Sequence, residues 1–283
     1  MMKDKQSKWE WEIRPRSRWL ELNIHELLSY KDLLFRLVRR DFLMLYQQTL
    51  LGPAWIILQP VLTVLTYILV FNRWLGIPTN GVPAFLFYLT GITLWNLFSD
   101  IFTGTASIFI NNANIFSKVY FPRLIVPLST TLLHMMRLGI QLLLLIVVIF
   151  YFHFTQGFPL HANTWLIALL PMLLAAGMGL AWGLIFSVLT ARYRDLMNLL
   201  HLFVRLLMIV CPIFFSVSYI QQYRWLVNLN PLTSLFELFR FAFIGEGTFT
   251  AMQLVYSAAV MMILLAGGTI LFNKKADALL DVV

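Results

Sequence analysis

Three charged residues sit where charge is expensive. Asp100, Arg137 and Arg205 each interrupt a run of mostly apolar residues that approaches or exceeds the roughly 20 needed to cross a bilayer. An ionisable group at that depth is a functional candidate by default. Asp100 and Arg137 carry opposite signs. Such a pair can line the path of a polar cargo, or it can fix the register of two helices by mutual neutralisation. His134, one helical turn before Arg137, fits a proton relay or a satisfied structural imidazole. Arg205 stands about two turns inside its run, so its long side chain can snorkel to the headgroups. Glu237 and Arg240 are spaced to pair on one helical face.

Other chemistry is missing. No Gly-Lys dipeptide occurs, so the phosphate-cradling loop GxxxxGK[ST] is absent and the chain is no P-loop ATPase by itself. HExxH and GxSxG are absent too. Cys211 is the single cysteine, which excludes an intrachain disulfide and a cysteine-built metal site. The segments assigned below to the outer side hold no carboxylate beyond Glu237 and Glu246, whereas a membrane glycosyltransferase or ligase needs several acid, base or metal groups. The expectation is a non-catalytic chain with no metal and no cofactor of its own.

The elements that must position these residues follow from composition. Of 283 residues, 60% are hydrophobic and 12% charged, against about 45–50% and 25% in a soluble domain. Six runs qualify as spans: Ala54 to Phe71, Pro83 to Ile110, Leu124 to Phe152, Trp165 to Leu189, Leu199 to Ile220 and Ala251 to Phe272. The first 18 residues hold six Lys or Arg and no apolar run, which argues against a cleavable signal peptide. Sixteen of the 21 Lys and Arg fall on one side of this layout. By the positive-inside rule both termini are cytoplasmic. The net charge of +8 is thus a topology signal, and no solvated basic domain exists to hold nucleic acid.

The expected fold is an all-α integral membrane protein, divided into a cytoplasmic segment (1–26), an amphipathic interface helix (27–50) and a six-span domain (51–283). The interface helix is read from Leu27, Tyr30, Leu34, Leu37, Val38 and Leu45 at helical spacing. Asp41 lands within that stripe, where an unpaired carboxylate is costly, so the helix is expected to bend or end near there. Between spans five and six, Val217 to Thr250 is too apolar for a solvated loop and suits two short re-entrant helices around Pro231. Trp95 and Phe98 belong to an aromatic run that could form a wall for sugar faces or simply pack in the core.

Four blocks resemble the membrane (permease) subunit of bacterial ABC exporters for polysaccharides: RRDFLMLYQQTLLGPAWIILQP (Arg39 to Pro60), NANIFSKVYFPRLIVPL (Asn112 to Leu128), ARYRDL (Ala191 to Leu196) and RWLVNLNPLTSLFELFRFAFIG (Arg224 to Gly245). The O-antigen type is the most similar, with capsule and teichoic acid permeases as relatives. Gln47 and Gln48 depart from the pattern, which has a basic residue after Tyr46.

The resemblance implies a homodimer in the bacterial inner membrane, joined by two copies of a separate P-loop nucleotide-binding subunit that binds ATP and Mg. It implies that Lys118, Val119, Tyr120, Phe121, Pro122 and Arg123 form a coupling helix on that subunit, with Arg192, Tyr193, Arg194 and Asp195 as a second contact. The interface helix becomes an inner gate, with Arg39, Arg40 and Arg205 toward the diphosphate of a lipid-linked glycan. The helices bearing Trp225, Asn230, Pro231, Glu237 and Arg240 become the outer gate. A stand-alone flippase, a lipid-linked glycan enzyme, or an ABC permease for a smaller lipid or drug are the alternatives.

Overall fold

A computed structural model of the chain describes residues 24–112, 116, 121–193, 195–219 and 224–279. The expected cytoplasmic segment lies outside the described residues except at its last three positions. In chain order the helices are α1 (Ile24–Ser29), α2 (Lys31–Tyr46), α3 (Trp55–Tyr67), α4 (Ala84–Ala106), α5 (Ile108–Asn111), α6 (Ile125–Gln156), α7 (Leu169–Arg192), α8 (Leu196–Val210), α9 (Arg224–Leu229), α10 (Thr233–Ile244) and α11 (Ala251–Leu279). A 3-10 turn at Gly52–Ala54 opens α3, and a π-helical turn at Ile68–Trp74 ends it. Among the described residues there is no strand.

Among the described residues, five helical stretches are long and apolar enough to cross a membrane: Gly52–Trp74, Ala84–Ala106, Ile125–Gln156, Ala162–Arg192 and Ala251–Lys275. They fall on the first, second, third, fourth and sixth expected spans. The expected fifth span differs. Its helix, α8, stops at Val210, and the chain turns irregularly from Cys211 to Tyr219. Pro212 is the cause, because a proline disfavours helical dihedrals in the residue before it and offers no N–H. Cys211 is accordingly extended, with φ −75° and ψ 146°. At about 1.5 Å per residue α8 is about 22 Å long, short of the roughly 30 Å hydrocarbon core.

The second span, α4, is the central pillar. Its apolar stretch is 83% buried, against 17% for the first span and 11% for the last. The fourth span packs closely on it through glycines. A Cβ added at Gly179 would lie 2.8 Å from the carbonyl oxygen of Phe98, and one at Gly183 would overlap Thr105 and come within 3.1 Å of the carbonyl of Phe102. Thr190 Oγ1, further along α7, donates 2.6 Å to the carbonyl of Ala106. That carbonyl is one of the orphan acceptors a helix end leaves.

The interface helix is continuous from Lys31 to Tyr46 and does not end at Asp41. Arg40 Nε donates to Asp41 at 2.7 Å, so the carboxylate has the partner its position demands. Leu37 is buried in an apolar cluster with Ile108, Phe109, Phe116, Phe121, Ile125 and Phe272. This cluster fastens α2 across one end of the bundle, here termed the basic end. Phe35 and Leu43 stay exposed, as expected of side chains that dip into lipid.

Gly183→Val would force α4 and α7 apart. Overpacking of this kind costs about 1–3 kcal/mol, so the detergent-solubilised protein is expected to melt several degrees lower. Gly139→Ala, where the added Cβ meets nothing within 4 Å, serves as the control and should melt like the parent.

Candidate functional site

α4 and α6 bring Asp100 and Arg137 together inside the membrane. Arg137 Nη1 donates to Asp100 Oδ2 at 3.0 Å, and His134 Nδ1 lies 3.3 Å from the same Nη1. A guanidinium can only donate, so for this contact to be a hydrogen bond Nδ1 must accept, which makes the imidazole neutral. Gly104 allows the approach, because a Cβ there would come within 2.9 Å of Thr130 and 3.2 Å of His134 Nε2.

This cluster is not sealed in the core. The side chains of Asp100 and Arg137 are 33% and 20% exposed. They open into a recess of about 740 Å³ bounded by α4, α6 and the interface helix. The interface helix contributes Arg40, Asp41, Met44 and Leu45, while Asn111 and Asn112 close the basic end. Arg40 Nη2 donates to Asn112 Oδ1 at 3.0 Å. Partial burial raises the pKa of the Tyr46 phenol at the end of α2, with Arg137 pulling it the other way, so this hydroxyl stays protonated at neutral pH.

The structure thus unites Asp100, Arg137 and Arg40 but separates the other two basic candidates. Arg39 is exposed on the outer side of α2, and Arg205 is exposed on α8. Asn198, His201 and Arg205 form an exposed polar stripe along that helix. Lipid offers such groups no partner. Asn111 and Asn112 were not candidates from sequence. Trp95 and Phe98 are buried against the rest of the subunit at 4% and 1% exposure, with ring centroids 5.6 Å apart. They pack in the core and face no open path within this subunit.

A second ion pair lies toward the opposite end, where α10 folds back into the bundle. Arg240 Nη1 donates to Glu237 Oε1 at 2.9 Å, and both side chains are enclosed at 2% and 0% exposure. Arg240 Nη2 donates to the carbonyl of Pro212 at 2.7 Å, and the guanidinium sits 3.9 Å over the Phe87 ring. Glu237 Oε2 accepts from the backbone N–H of Thr248 at 2.7 Å. The pair therefore ties α10 to the break after α8, to α4 and to the loop before α11. Asn230 and Pro231 form the turn between α9 and α10, where Asn230 Oδ1 accepts from the Leu232 N–H at 3.0 Å. Trp225 stands apart, 65% exposed.

Of the residues expected to couple to a partner, Phe121 is buried in the cluster under α2, while Pro122 and Arg123 are half-buried. Arg192 stacks over the Tyr193 ring at 5.3 Å, and Asp195 is exposed. Lys118, Val119, Tyr120 and Arg194 lie outside the described residues.

Stranding one member of the enclosed pair should be costly. Glu237→Leu leaves a buried guanidinium uncompensated, at about 3–5 kcal/mol, and should depress the melting temperature sharply. The double variant Glu237→Leu with Arg240→Met should recover part of that loss when the three proteins are melted in the same detergent.

Comparison with known proteins places these features in a family. The model of the ABC-2 type transporter family matches residues 32–244, a stretch that contains the interface helix, the recess and the enclosed ion pair. The O-antigen export system permease protein RfbA of Klebsiella pneumoniae is 28% identical over 249 residues, covering 86% of this chain and 92% of that protein. The protein of the same name from Myxococcus xanthus is 26% identical over 260 residues, covering 90% of this chain and 96% of its own length. A membrane-embedded helical chain matched over three quarters of its length by one family model is a member of that family: this chain belongs to the ABC-2 type transporters.

Proposed function

We propose that two copies of this chain form the membrane half of an ATP-driven exporter, which moves a polyprenyl diphosphate-linked, O-antigen-like polysaccharide across the bacterial inner membrane. The observation that carries this reading is similarity along nearly the full length of permeases named for O-antigen export, in a chain that lacks a P-loop of its own. ATP and Mg then belong to two copies of a separate nucleotide-binding subunit. Both termini are cytoplasmic, which puts the basic end at the inner leaflet, and the chain crosses six times with α8 and the Cys211–Tyr219 segment as the fifth crossing.

The diphosphate is drawn to the basic end by Arg39, Arg40 and Arg205. The exposed stripe of Asn198, His201 and Arg205 faces a wet path between the two copies, which relieves the cost of holding polar groups against lipid. Closure of the ATPase pair pushes on Lys118 to Arg123 and on Arg192 to Asp195. Because Phe121 is packed with Leu37 of the interface helix, that push reaches the inner gate directly. The helices from Trp225 to Ile244 act as the outer gate, held shut by the enclosed pair of Glu237 and Arg240.

Two measurements test this. Tagged protein solubilised from its native membrane in mild detergent should carry a GxxxxGK[ST] protein in stoichiometric amount, identified by mass spectrometry; repeated isolation alone would remove the basis of the coupling roles. Arg39→Gln with Arg40→Gln should leave membrane insertion intact and lower glycan export several-fold, and unchanged export would overturn the diphosphate role.

A further inference from the structure

We infer that the recess beneath the interface helix binds a neutral, hydroxyl-rich group, a saccharide unit, held between Arg40, Asp100 and Arg137. The inference rests on the export reading only for the source of that unit, the sugar next to the lipid diphosphate.

Charge is the first constraint. The recess is lined by Arg40 and Arg137 against Asp41 and Asp100, so with a neutral His134 its formal charge sums to zero. A diphosphate entering it would find no surplus positive charge, and an uncompensated anion taken out of water is heavily penalised. An ammonium group meets the mirror objection, because guanidinium groups already hold Asp41 and Asp100 at 2.7 and 3.0 Å.

What the two pairs leave unused is hydrogen-bonding capacity rather than charge. A carboxylate offers about four lone-pair sites and a guanidinium five N–H groups, more than these pairs consume. The side chains of Asp100 and Arg137 keep 33% and 20% of their surface exposed, so part of that capacity is open to the recess they line. A ligand that suits unused donors and unused acceptors side by side carries groups that do both. Vicinal hydroxyls do this, and planar carboxylate and guanidinium edges match their spacing.

Size and position agree. The volume of about 740 Å³ lies in the range of small-molecule sites, about 300–1,000 Å³. Met44 and Leu133 on the walls give the C–H face of a sugar ring an apolar surface. Successive residues of a helix point about 100° apart, and here Arg39 is exposed while Arg40 turns into the recess. A diphosphate outside at Arg39 and its attached sugar inside at Arg40 is the arrangement this geometry favours.

The test uses the full permease with its ATPase partner in lipid nanodiscs and two probes, farnesyl diphosphate and farnesyl diphosphate carrying one N-acetylhexosamine. The parent complex is expected to bind the glycosylated probe at least tenfold more tightly than the bare one. Met44→Trp, which fills the recess without touching a charge, should bring that ratio close to one while binding the bare probe as the parent does, and Asp100→Asn, which keeps the shape of the side chain but leaves the recess with a surplus positive charge, should lower the ratio and tighten the bare probe. A ratio near one in the parent complex overturns the saccharide site and leaves the diphosphate reading standing. Displacement of the glycosylated probe by phosphatidylethanolamine at matched concentration overturns it in favour of a phospholipid headgroup. Failure to bind either probe overturns the export reading and this site with it.

Discussion

Hydrocarbon has no hydrogen bonds to give, and most of this structure is the consequence. Each polar group at membrane depth must find its partner inside the protein or in a wet path, because a bare one costs several kcal/mol. Helices satisfy their own backbones, so the constraint bites at the side chains and where a membrane helix stops short, as α8 does. There, at Pro212, the freed carbonyl is taken by Arg240. Arg240 in turn can be enclosed only because Glu237 neutralises it and the Phe87 ring covers one of its faces. Break, ion pair and aromatic ring form one solution to one problem.

The two ion pairs answer the same constraint differently. Glu237 and Arg240 are shut in, with at most 2% of either side chain exposed, and a fully packed pair leaves no room for a moving cargo. Asp100 and Arg137 make an equally short contact while 33% and 20% exposed. Their wall is a recess rather than a packed helix. Opposite charges inside a span read alike along a sequence, and only their surroundings divide a latch from a lining.

That division marks how far the sequence could be read. The spans were legible because an apolar run near 20 residues admits few other structures, and the Glu237–Arg240 pair because helical geometry fixes which residues three apart can meet. Hydropathy does not register a helix break, so the fifth span looked continuous across Pro212. Asp41 looked like a bend because periodicity places a residue on a face without naming what meets it there. The recess was less legible still. Arg40 and Asn112 are 72 positions apart, and no local pattern announces that an interface helix, a span end and a third span will close around one space.

The same distant contacts constrain how force can pass through the basic end. The interface helix is held by a polar link, Arg40 to Asn112, and by an apolar one, Leu37 against Phe116 and Phe121. Asn112, Phe116 and Phe121 all belong to the connection between the second and third spans. A close-packed contact cannot stretch by an ångström without losing much of its attraction, so a displacement of that connection must either carry the interface helix with it or break the cluster. Either outcome changes the shape of the recess, since the helix supplies one of its walls. A shift of Asn112, Phe116 or Phe121 therefore acts on the space around Asp100 and Arg137, and it does so through side-chain contacts.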